Sequence, residues 1–68
     1  MNVADEASAA LVRVWETMVV LAEAGHDMVV DTQRLAPADG ASRIAEVASD
    51  LAMLARAAEV LARLRAMS

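Results

Sequence analysis

The chain contains no cysteine, no phenylalanine and no tyrosine, and only one proline and two glycines. Without cysteine, neither a disulfide framework nor a thiolate metal site can stabilise it. Stabilisation matters because a chain of 68 residues buries only about 60% of the surface that its unfolded form exposes. The remaining routes are oligomerisation, a metal site built from carboxylates and histidine, or very regular helix packing.

Basic residues are also scarce: all of them are arginine, and the formal net charge is −4. A binder of nucleic-acid backbones or of anionic membranes normally presents a basic face, so we expect no nucleic acid and no membrane as partner. No apolar run approaches the roughly 18 residues of a membrane span. Asp5 and Glu6 stand where a signal peptide would be basic. These features predict an acidic, cytoplasmic protein.

Alanine, the best helix former, occurs seventeen times in this sequence. The only loop signal surrounds Pro37 and Gly40. We therefore predict an all-α fold: a single helical-hairpin domain over 1–68, with helices at about 3–34 and 41–66 and a loop at about 35–40. Asn2 is the expected N-cap of the first helix. Asp39, Ser42 or Pro37 is expected to start the second.

Gly25 falls inside the first helix, where it either permits close packing or breaks the helix. One apolar stripe on each helix has the spacing of a helix-packing face. These stripes are Ala4, Ala7, Leu11, Val14, Met18, Leu21, Gly25 and Met28, and Ile44, Val47, Leu51, Leu54, Ala58 and Leu61. A fold point near Ala38 predicts Asp50 opposite His26.

Each helix also carries a second apolar stripe, which a two-helix hairpin would leave in water. Several large apolar side chains favour burial by about 1.5–3 kcal/mol each, so the sequence predicts association, most simply as a two-fold dimer that forms a four-helix bundle. The residues expected in this interface are Val12, Trp15, Val19, Val30, Met53, Val60 and Leu64. The expected partner is the protein itself, as a homodimer or a higher homo-oligomer; another protein is the alternative partner.

In size and layout the predicted hairpin resembles the small dimeric hairpin proteins of the Rop type, which regulate plasmid copy number. The likeness is architectural and implies a dimeric bundle. It brings no function with it, because Rop-type RNA recognition needs a basic face that this sequence lacks.

A different function is suggested by Glu23-Ala-Gly-His26, because E-x-x-H on a helix is a ligand spacing of di-iron bundles. The candidate ligands for iron, manganese or zinc are Glu16, Glu23, His26 and Asp50. The alternative is that His26 is a boundary residue hydrogen-bonded to Asp50 or Glu23, with no cofactor.

The sequence has no glycine-rich phosphate loop and no nucleophile–base arrangement, so we expect no catalysis. The predicted function is that of a small self-associating helical interaction protein, acting as an adaptor, scaffold or regulatory subunit. An acidic co-chaperone that covers a helix of a partner protein is a further alternative.

Overall fold

Two long helices account for most of the chain in the computed structural model, which describes residues 2–35 and 37–67. Helix α1 runs over Val3–Leu35 and α2 over Ala41–Met67, and the two pack against each other as a hairpin. The predicted all-α class and helix pairing are therefore confirmed. Leu35, predicted to begin the loop, is instead the last residue of α1, and Ala36 lies outside the described residues.

Both helices begin at a small residue that caps the backbone. The side-chain oxygen Oδ1 of Asn2 accepts a hydrogen bond of 2.9 Å from the amide of Asp5, as predicted for an N-cap. In α2 the carbonyl of Gly40 accepts the first helical bond, 3.0 Å from the amide of Ile44. Gly40 is therefore the N-cap of α2, and Pro37 lies in the preceding turn rather than inside the helix.

The seam between the helices is formed by the two stripes that the sequence predicts. Their members alternate at intervals of three and four residues, which is the heptad pattern of coiled-coil packing. All fourteen are buried or half-buried, but only Ala7 and Ala58 are fully buried among the described residues. One helix pair thus shields its own seam incompletely.

Gly25 lies in this seam and does not interrupt α1, which is continuous through it. A Cβ atom added at Gly25 would lie 3.0 Å from Cγ1 of Val47, which is tighter than ordinary van der Waals contact. The missing side chain therefore lets the two backbones approach. Of the two interpretations offered by the sequence, close packing is the one that the structure supports.

The register of the hairpin differs from the prediction by about one helical turn. Gly25 meets Val47, and a Cβ at Gly40 would lie 2.6 Å from Cγ2 of Thr32, so that residue i lies opposite about 72 − i. Asp50 consequently does not face His26. The prediction was wrong because the loop is not symmetric: Gly40 packs back onto Thr32, while α1 continues three residues further to Leu35.

The hairpin is a thin rod with a large surface for its mass. Its Cα atoms span 49 × 14 × 12 Å, and their radius of gyration is 15.6 Å, against about 11 Å for a globular chain of this length. Its accessible surface is 5150 Å², whereas a globular monomer of 7.2 kDa is expected to expose about 4,100 Å². The single hairpin therefore exposes roughly 1,000 Å² more than a globular chain of equal mass.

Candidate interaction surface

A ridge of large apolar side chains runs along α1 outside the seam. Val12, Trp15 and Val19 are 54%, 51% and 56% exposed. Together with Ala22 they are spaced by three or four residues along α1. Val29 continues the row seven residues after Ala22, and His26 occupies the position between them. A helix face with this spacing has the pattern of a second packing seam. We call these five residues the valine ridge.

The valine ridge lies beside a strip of alanines on α2. Around α1, Trp15 and Thr17 are about 200° apart and flank the seam on opposite sides, as Ala55 and Met53 do around α2. Thr17 and Met53 line one groove, so Trp15 and Ala55 share the other side of the hairpin. The exposed alanines on this side of α2, the alanine strip, are Ala41, Ala45, Ala48, Ala52, Ala55, Ala62 and Ala66. Glu59 occupies the same row between Ala55 and Ala62.

The second apolar stripe of α2 lies on the opposite side of the hairpin. It consists of Met53, Ala57, Val60 and Leu64, and we call it the Met53 face; Met53 and Val60 are 66% and 53% exposed. Two grooves adjoin it. Thr17 and Leu21 line the first, of about 450 Å³, together with Asp50, Met53 and Leu54. Leu64 lines the second with Val3 and Ala10.

The seven predicted interface residues are thus divided between two surfaces. Val12, Trp15 and Val19 belong to the valine ridge; Val30 lies on the same side of α1 but is half-buried. Met53, Val60 and Leu64 belong to the Met53 face. The sequence did not predict this division, because the division depends on which flank of α1 lies beside which flank of α2. For the same reason, the sequence did not predict that the valine ridge lies next to the alanine strip.

Charged residues border the ridge and the strip on their outer edges. Glu16 and Glu23 border the ridge on α1, and Arg56 and Arg63 border the strip on α2. Arg63 donates through Nη2 to Oε1 of Glu59 within α2. Over the stretches 2–35 and 37–67, Glu16 and Arg56 form no ion pair. The register places these two residues at the same height on the rod.

The proposed metal ligands do not converge within the chain. Glu23 and His26 line one shallow depression with Val19, Ala22 and Asp27, whereas Asp50 lies in the groove on the other side. Among the residues that the structure describes, no three histidine, aspartate or glutamate side chains are grouped as metal ligands.

His26 itself is exposed, with a side-chain accessibility of 77%, and its Nδ1 atom lies 3.5 Å from Oδ1 of Asp27. Its polar neighbour is therefore the adjacent residue along the chain, not Asp50 or Glu23 as predicted. A contact at this distance is at the outer limit of hydrogen bonding, so it fixes the imidazole weakly. His26 interrupts the valine ridge between Ala22 and Val29 as an exposed polar residue.

No protein-family model matches this chain, and no curated protein or solved structure is significantly similar to it. Neither of the two described helices combines the length and the apolarity that a bilayer crossing requires. The assignment of function therefore rests on the surfaces of the hairpin.

Proposed function

We propose that this protein is a small self-associating helical interaction protein, which acts as an adaptor, scaffold or regulatory subunit and has no catalytic activity of its own. The observation that supports the proposal best is the valine ridge, where valine and tryptophan side chains about half exposed repeat with the spacing of a packing seam. A two-fold dimer built on this surface is a four-helix bundle.

The apolar side chains of the ridge supply a driving force of the right size. Completing the burial of a half-exposed valine or tryptophan is worth about 1 kcal/mol. Val12, Trp15, Val19 and Val29 together contribute about 4 kcal/mol per copy and about 8 kcal/mol per dimer. Association costs about 4–15 kcal/mol in lost translation and rotation. The ridge therefore offsets much of this cost, and contacts made by the alanine strip add further favourable free energy.

Folding and association should be coupled, because no large side chain is fully buried among the described residues. A chain of this size with so open a seam gains much of its core only in the bundle. The protein therefore unfolds as a dimer under this proposal. Its unfolding temperature must then rise with protein concentration.

Thermal unfolding followed by far-ultraviolet circular dichroism at two protein concentrations 100-fold apart tests this proposal. Mass action favours the dimer by about 2.7 kcal/mol over this range, which corresponds to a rise of about 10 °C for 136 residues, twice the 68 of one chain, unfolding together. Equal unfolding temperatures at both concentrations, for a protein that remains a monomer at the higher one, would contradict the proposed function.

A further inference from the structure

We infer that the protein dimerises crosswise, with the valine ridge of one copy packed on the alanine strip of a second copy. This inference rests on the proposed self-association and specifies its geometry. Two two-fold arrangements can place these faces together. In the crosswise dimer the two-fold axis runs along the rod and α1 covers α2 of the partner copy; in the head-on dimer the axis crosses the rod and α1 covers α1.

The shapes of the two surfaces favour the crosswise dimer. Interaxial distances of packed helices range over about 8–10 Å, depending on the side chains between them. A head-on dimer would place valine and tryptophan against each other in one helix pair and alanine against alanine in the other, and so require unequal distances within one interface. The crosswise dimer places the ridge on the alanine row in both helix pairs, with Glu59 as the one large residue in that row, and its symmetry keeps the two interaxial distances equal.

Symmetry fixes the register of the crosswise dimer. Rotation about an axis along the rod leaves the position of every residue along the rod unchanged. Residue i of α1, which lies opposite about residue 72 − i in its own chain, therefore also lies over about residue 72 − i of the partner copy. Val19 then lies over Ala52, and Val29 lies near Ala41 and Ala45. Val12, seven residues before Val19, lies over the side chain of Glu59. The ridge and the alanine strip therefore overlap over most of their length without any sliding of one copy along the other.

The charges at the edges follow the same pairing. At the heights given by the register, Glu16 of one copy lies beside Arg56 of the other, and the dimer contains this pair twice. Both are exposed and have no ion pair across residues 2–35 and 37–67 of the single chain. A head-on dimer instead brings the acidic edges of two α1 helices together. Opposite charges flanking a helix seam determine partner orientation in coiled coils.

The available area suits a second copy of the same rod. A face of 49 × 14 Å covers roughly 700 Å² per copy, close to the roughly 800 Å² per partner of a standard stable interface. A second hairpin has the same length and width and would cover this face completely. The occupant with matching shape, register and edge charge is therefore this chain itself.

Charge reversal distinguishes the two arrangements. In the crosswise dimer, Glu16→Arg and Arg56→Glu each turn two attractive pairs into repulsive ones, and we expect each to raise the dimer dissociation constant roughly three- to tenfold. The double variant should restore the native value. Glu46→Arg changes the net charge as Glu16→Arg does but lies on the Met53 side, so it is the matched control and should not weaken the dimer.

The same measurement, by sedimentation at low ionic strength, separates failure of the geometry from failure of self-association. A dimer of unchanged affinity in Glu16→Arg, Arg56→Glu and the double variant would overturn the crosswise arrangement while leaving self-association intact. A native protein that stays monomeric up to roughly 100 µM would overturn both. Glu16→Arg lowers the net negative charge and so the overall repulsion between two copies. A higher dimer dissociation constant for this variant therefore supports the crosswise dimer.

Disulfide trapping gives an independent readout, because the native chain has no cysteine. Val19→Cys and Ala52→Cys proteins are mixed in equal amounts, exchanged at low concentration, concentrated and oxidised. A disulfide requires Cα atoms within about 7 Å. The crosswise dimer predicts that the mixed 19–52 link forms well above half of the product. Predominance of 19–19 and 52–52 links would contradict it.

Discussion

Replacing Val19 by aspartate should dissociate the dimer, whereas the same replacement at its neighbour Val20 should not. The two valines adjoin in α1 and are 56% and 67% exposed, so exposure alone does not distinguish them. Val19 belongs to the valine ridge, and Val20 points about 100° further around the helix toward the polar side. Any effect of aspartate on helix formation is similar at both positions.

The expected size of the effect follows from burial in the dimer. Loss of the valine removes about 1 kcal/mol per copy from the apolar contribution. Placing a carboxylate against the alanine strip costs at least about another 1 kcal/mol per copy, even if partial hydration relieves most of the desolvation. Two-fold symmetry counts both twice, giving about 4 kcal/mol, or roughly a thousandfold in the dissociation constant.

Trp15 provides the assay, because it is the only tryptophan and lies within the ridge. Its fluorescence emission should shift to longer wavelength as the native dimer is diluted and dissociates. We expect Val20→Asp to follow the native dilution curve and Val19→Asp to show the monomer spectrum throughout. Circular dichroism at each concentration records whether helix content is lost together with association.

Equal dilution curves for native protein, Val19→Asp and Val20→Asp would refute the placement of the ridge in the interface. Strong dissociation by Val20→Asp alone would also refute it, since that result would move the interface to the other side of α1. The conservative Val19→Ala variant refines the test. It removes about two methylene equivalents of half-exposed surface per copy and should weaken the dimer roughly tenfold.

Three further predictions concern the fold and the histidine. Gly40→Ala should destabilise the protein by about 1–3 kcal/mol through overpacking against Thr32, and addition of Thr32→Ala should recover part of this loss in urea unfolding. Asn2→Ala should lower the free energy of unfolding by about 1 kcal/mol, and Asn2→Asp should retain it; equal losses would count against the cap. Zinc, iron or manganese should leave the unfolding temperatures of native protein and of His26→Ala unchanged, because the candidate ligands do not converge; a rise confined to the native protein would support the metal hypothesis.

The elements of this fold were predictable from the sequence because their signals are local. The seam residues repeat at intervals of three and four along each helix, and Asn2 is the kind of residue that caps a helix. The high alanine content favours helix throughout, and the only proline, Pro37, interrupts the chain once, so two helices are the expected result. The helix ends agree with the prediction to within one residue. The cap at Gly40 was not predicted, because its close contact with the side chain of Thr32 leaves no sign in the sequence pattern.

The register was not predictable to the same accuracy, because it depends on how closely backbones approach. Two glycines decide it: Gly25 admits Val47, and Gly40 admits Thr32. A sequence pattern identifies which residues face the seam but does not say which pair meets across it. An error of one turn is enough to misplace Asp50 relative to His26, and with it the cross-helix part of the metal hypothesis.

The candidate surface was predictable as a set of residues but not as an arrangement in space. Val12, Trp15 and Val19 were recognised because they form a second stripe at helical spacing. Their separation from Met53 and Val60 onto the opposite side follows only when the flanks of both helices are assigned. The alanine strip gave no signal by itself, since alanine is common on exposed helices and becomes informative only beside a ridge of large residues.

Sedimentation equilibrium of the native protein over a micromolar concentration range tests the central claim most directly. One chain has a mass of 7.2 kDa, so the proposed dimer has twice this mass, 14.4 kDa. We expect the apparent mass to approach the dimer value as concentration rises and to fall toward the monomer value on dilution. A mass of 7.2 kDa at every concentration, with full helix content, would contradict the self-association on which the proposed function depends.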